Sequence, residues 1–173
     1  MKVTASPLQI LDFAILKFEM EYVAITKEIE LKELFSGYNI DLDFSIDDSD
    51  GILRVFMKSG INQGKKKEMG YSVFAECACL FQFDEKISIS HNEKDSLQSF
   101  SAIYITLNAL RGFISNFTAN GPMGRYILPS IDLNKLIDEK KKLSIKKISN
   151  KKSTTSKTKV ATVTKKKAVK KNK

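Results

Sequence analysis

Five apolar side chains spaced two residues apart constrain this chain more than any other feature. Tyr38, Ile40, Leu42, Phe44 and Ile46 alternate with Asn39, Asp41, Asp43 and Ser45. An extended backbone points successive side chains to opposite faces, so it sorts this pattern into one dry and one wet surface. Asp47-Asp48-Ser49-Asp50-Gly51 follows, and an Asp-Gly pair supplies the backbone conformations that a tight hairpin turn requires. Ile52 to Lys58 (ILRVFMK) then resumes a β-rich run, so the two segments are expected to pair as an antiparallel hairpin.

Two further strands are expected. Gly60 to Gly70, with Lys65-Lys66-Lys67 at its centre, reads as a polar loop leading to a run from Tyr71 to Phe83. In that run Tyr71, Val73, Ala75, Cys77, Cys79, Phe81 and Phe83 share a face, while the opposite face carries Phe74 and Leu80 beside Ser72, Glu76 and Gln82. That second face is more apolar than a solvated one. Upstream, Phe13 to Thr26 places Leu16, Phe18, Met20 and Tyr22 opposite Lys17, Glu19 and Glu21. Four strands without intervening helices imply an antiparallel sheet and an α+β fold class.

The period changes after His91. With Asp95 or Ser96 as N-cap, Leu97, Phe100, Ile103, Tyr104, Leu107, Leu110, Ile114 and Phe117 recur at spacings of three and four until Asn120-Gly121-Pro122 stops the helix. The apolar stripe covers about half the circumference, wider than the roughly 100° that suffices against one sheet. One flank is therefore expected on the sheet and the other on a second subunit, with Phe100, Ile103, Leu107, Leu110 and Ile114 as interface candidates. Ile127 to Ile137 reads as an extended crossing followed by a short helix capped by Asp132, with Leu133, Leu136 and Ile137 on its apolar side.

Charge divides the chain in two. Met1 to Glu139 carries 14 Lys and Arg against 20 Asp and Glu, a net of −6, whereas the rest holds 15 lysines and no acid. The expected organisation is a folded domain over residues 1–143 and a disordered lysine-rich tail over 144–173, because such a composition cannot bury enough surface to offset the entropy of ordering. Its lysines could release counterions from nucleic acid or contact the ribosome without sequence preference. MKVTASPLQI lacks the apolar core of a signal peptide, and no run reaches the roughly 20 apolar residues that span a bilayer, so a cytoplasmic protein without a membrane span is expected.

The residues of catalysis are missing as a set. The sequence has no glycine-rich phosphate loop, no nucleophile elbow, and only His91 beside Cys77 and Cys79, so an enzyme, a metal site and a cofactor are all unexpected.

Leu110 to Ile137 (LRGFISNFTANGPMGRYILPSIDLNKLI) resembles the C-terminal half of the SecB export-chaperone family. The resemblance rests on Arg111, Ile114, Ser115, Gly121, Leu128, Ile131, Asp132, Leu133, Leu136 and Ile137, in the order helix, crossing loop, short helix. It implies a four-stranded antiparallel sheet packed by one long helix and a short C-terminal helix. It also implies a homotetramer, a dimer of dimers, that holds unfolded or precursor polypeptides in apolar grooves without ATP and can hand them to an export translocase motor. Phe74, Leu80, Leu128, Ile131, Leu133, Leu136 and Ile137 are the candidate groove residues. A chaperone dedicated to one client, such as an antitoxin, and a ribosome- or nucleic-acid-associated protein acting through its tail are the alternatives.

Overall fold

The computed structural model describes residues 4–30 and 33–143, which fall in two compact units, Met1–Pro129 and Ser130–Lys173. The lysine-rich tail expected from residue 144 lies outside the described residues. Four strands, β1 (Leu8–Val23), β2 (Ile40–Ser49), β3 (Ile52–Ile61) and β4 (Gly70–Phe83), form an antiparallel sheet of order β1-β4-β3-β2. The β2–β3 hairpin closes through Asp50 and Gly51, whose φ angles of 57° and 73° are the left-handed pair of a two-residue turn. Arg54 Nη1 braces it by donating to Ser49 Oγ at 2.8 Å and to Asp47 Oδ2 at 3.3 Å.

β1 departs from the expected strand, because it begins at Leu8 instead of Phe13 and its pairing with β4 slips twice, between Ile10 and Asp12 and between Ile15 and Lys17. Each slip is a bulge that inserts one residue and reverses the parity of the side chains beyond it. Leu8 and Ile10, then Phe13 and Ile15, then Phe18, Met20 and Tyr22 consequently lie opposite the inward residues of β4. Leu16, expected to share a face with Phe18, is instead a bulge residue left 57% exposed.

The inner face is covered by one long helix in unit Met1–Pro129. It comprises α1 (His91–Ser96), a single π-turn (Leu97–Ser101) and α2 (Ala102–Thr118). The start lies earlier than periodicity indicated: Ser90, whose hydroxyl accepts from Glu93 N at 3.3 Å, caps a first segment with no buried residue, which leaves no apolar signal. Ile103, Leu107, Leu110 and Ile114 are buried among Leu53, Val55, Met57, Val73, Cys77 and Phe81 of the same chain. Thr106 and Thr118 join them without loss, since each hydroxyl donates 2.8 Å to the carbonyl four residues back.

This burial corrects the interface assignment. Of the five helix candidates only Phe100 is exposed, and the open flank carries Tyr104 (51% exposed) and Phe117 instead. In the second unit, residues 133–143 form α3, started by Asp132, whose Oδ1 accepts from Lys135 N at 3.1 Å. Thus a four-stranded antiparallel sheet, a long helix and a short C-terminal helix make up the α+β fold.

Leu110→Ala should cost about 2–5 kcal/mol in urea unfolding, because it leaves a cavity at a fully buried site, whereas Tyr104→Ala should stay within about 0.5 kcal/mol. Burial, aided by neighbouring Cys79, pushes the Cys77 thiol up to about 12, and burial beside Tyr38 pushes the Tyr126 phenol up to about 12. Their ordinary values are 9.0 and 10.0, so between these values and about 12 the folded chain holds protons that the unfolded chain releases. The stabilisation is therefore complete below pH 9 and declines as pH rises to about 12. Urea midpoints should fall over that window, and Tyr126→Phe should flatten the fall at its upper end; a midpoint constant across the window would contradict it.

Candidate functional site

After α2 the chain crosses the end of the sheet through residues 119–129 without regular structure, so its backbone groups need partners from elsewhere. Three side chains supply them. The Tyr71 phenol on β4 accepts from Met123 N at 2.8 Å and donates to Gly124 O at 3.2 Å. Thr118 Oγ1 accepts from Tyr126 N at 2.9 Å. Arg111 Nε donates to Leu128 O at 2.9 Å, and its Nη2 donates to Pro129 O at 3.0 Å. Gly121 is what the approach of Tyr71 requires, since a Cβ there would lie 2.4 Å from the phenol oxygen.

The loop faces an aromatic wall. Phe35 stacks on Tyr71 with ring centroids 5.8 Å apart and meets Tyr126 edge-on at 5.3 Å, while Tyr38 lies 5.6 Å from Tyr126. These are the separations at which aromatic quadrupoles attract. Tyr38 is fixed by its own phenol, which accepts from Tyr71 N at 2.6 Å and donates to Met69 O at 2.9 Å. Burial raises the Tyr38 phenol too. Between wall and loop lies an open depression of about 520 Å³, lined by Phe35, Ser36, Tyr38, Ile40, Met123, Arg125, Tyr126, Ile127 and Pro129. Ile127 stands at its edge 63% exposed. Tyr38 and Tyr126 are 8% and 2% exposed and so form its floor, and a largely apolar concavity with Arg125 as its one charged lining residue can take up apolar side chains from an extended segment.

Within the first unit the groove residues expected from sequence do not converge. Phe74 and Leu80 lie half-buried on the outer face of the sheet, Phe74 beneath Lys17, whose Nζ is 5.1 Å from the ring centroid. Leu128 is only 1% exposed, so it belongs to the interior and offers no groove surface; its neighbour Ile127 points the other way, as alternation in an extended segment dictates. Leu133 is buried as well, and Ile131, Leu136 and Ile137 are half-buried, all in the second unit. Phe35, Tyr38, Met123, Arg125, Tyr126 and Ile127 were missed. The available signal was the Met123-to-Ile127 stretch inside the crossing loop, which carries apolar residues outside any periodic element.

The outer face also holds a smaller depression, about 230 Å³, with Leu16, Phe56 and Met57 beside Asp43, Lys58 and Glu76. Alternating charges make it a poorer host for an apolar chain. Among the described residues no helix is long and apolar enough to cross a membrane.

No protein-family model matches the sequence, and no curated protein matches it. Solved structures do. The Mycobacterium tuberculosis Rv1957 SecB-like chaperone, in complex with a ChAD peptide from the Rv1956 HigA1 antitoxin, superposes with a TM-score of 0.50 at 13% identity, over 73% of this chain and 88% of that one. A protein of unknown function from Streptococcus agalactiae gives a TM-score of 0.35 at 11% identity, over 73% of this chain and 100% of that one. At 13% identity the first likeness is one of architecture: the fold is SecB-like.

Proposed function

We propose that this protein is a chaperone that acts by binding rather than catalysis, holding unfolded polypeptides by apolar contacts without nucleotide. The carrying observation is the open aromatic depression with Ile127 at its edge. Ile127 is 63% exposed at the mouth of a concavity lined mainly by apolar and aromatic side chains, the kind of surface that takes up an apolar ligand. The SecB-like fold supports the same reading, because its structural neighbour was solved with a peptide bound. Each large side chain buried in the depression contributes about 1.5–3 kcal/mol, so a few contacts give reversible capture with little sequence preference.

Precursors awaiting export are the clients that fit such capture best, in the cytoplasm and with further subunits assembled on the exposed Phe100, Tyr104 and Phe117 flank. A narrower version, one client only, draws on the antitoxin peptide seen with the neighbour. Profiling bound clients separates the two, since a general chaperone carries many and a dedicated one carries a single species.

The purified chain should suppress aggregation of a diluted, denatured client without nucleotide. Ile127→Asp should weaken client affinity roughly tenfold to a hundredfold, the equivalent of one large contact, while Leu16→Asp on the outer face should leave it unchanged. Failure of the unaltered chain to suppress aggregation, or equal loss from both variants, would sink the proposal.

A further inference from the structure

The aromatic depression carries one charge. Of its nine lining residues only Arg125 is ionised, and no acidic side chain is among them. The chain has three arginines, and the other two are engaged. Arg54 braces the β2–β3 hairpin, and Arg111 binds the carbonyls of Leu128 and Pro129 together with Asn108 Oδ1. Arg125 is exposed and has no hydrogen-bond or ion-pair partner among the described residues.

A guanidinium offers a rigid planar fork that matches a carboxylate through two parallel hydrogen bonds. Placed in the lining of an otherwise uncharged concavity, it leaves apolar uptake untouched and adds a requirement at one point. The backbone from Met123 to Tyr126 is held by Tyr71 and Thr118, so the fork projects from an anchored loop.

We propose that Arg125 is a specificity-determining residue that makes the depression prefer apolar segments bearing a carboxylate beside the anchoring side chain. The carboxylate belongs either to an acidic residue or to the free end of the client chain. This inference rests on the polypeptide-binding reading above, to which it adds a chemical class of client: hydrophobic runs flanked by acid, over those that are neutral or flanked by lysine.

The test uses fluorescently labelled short peptides with one apolar run, differing only in a flanking Glu, Gln or Lys, each with a free or an amidated C-terminus. On the full chain at low salt, the amidated Glu peptide or the Gln peptide with a free C-terminus should bind about fivefold more tightly than the amidated Gln peptide, the worth of one exposed ion pair. Whichever carboxylate gives the gain identifies its source. The preference should shrink as salt rises. Arg125→Gln should reduce the ratio to one without weakening the amidated Gln peptide, and Arg125→Lys should restore only part of it. An unchanged thermal midpoint would confirm that the variants remain folded, as expected for a side chain without partners. A ratio of one in the unaltered chain, or a ratio that survives Arg125→Gln, overturns the inference while the binding reading stands. If no peptide binds at all, both fall together.

Discussion

The Tyr71 phenol joins the sheet to the loop on which the candidate site depends. An irregular segment laid across a sheet end must find partners for its amides and carbonyls, and one oxygen here serves two of them, accepting from Met123 and donating to Gly124. The same ring stacks on Phe35, and the backbone amide of the same residue donates to Tyr38. A single position thus fixes the loop, the wall and their spacing. Gly121 and Gly70 are the local consequences, since a Cβ at either would lie within 2.4 Å of a tyrosine oxygen. Tyr126 of the loop packs on Phe35 and Tyr38 of the wall, and the depression is lined by residues from both sides of that contact.

The sheet was legible because period-2 alternation is a direct image of the pleat. β2, β3 and β4 lie where their patterns placed them, and Asp50-Gly51 forms the expected turn. β1 was harder to read for a physical reason: two bulges reverse its parity, so the inward set is even, then odd, then even again, and no window of fixed period covers it. The start of the long helix was hidden similarly, because α1 buries nothing and a π-turn shifts the phase before Ala102.

The site was less legible than the fold. Groove, core and interface all draw on the same residue types, so periodicity selects apolar positions without saying which of them water reaches. Leu110 and Leu128 proved to be core, and Ile127, one residue from Leu128, proved to be surface. The expected excess of apolar surface does exist, at Tyr104, Phe117 and Ile127 on the helix and loop and at Leu16 and Phe56 on the outer sheet. What the linear pattern lacked was the distance between Phe35 and Tyr126, 91 positions apart in the chain and 5.3 Å apart as rings.

Amide hydrogen exchange of the full chain, with and without a non-folding client, tests the central claim most directly. Client occupancy of the aromatic depression predicts added protection confined to residues 35–40 and 123–129, with the β2–β3 hairpin tip and the outer-face positions around Leu16, Phe56 and Phe74 unchanged. Protection that appears on the outer sheet face and leaves the crossing loop as exposed as before would contradict the account.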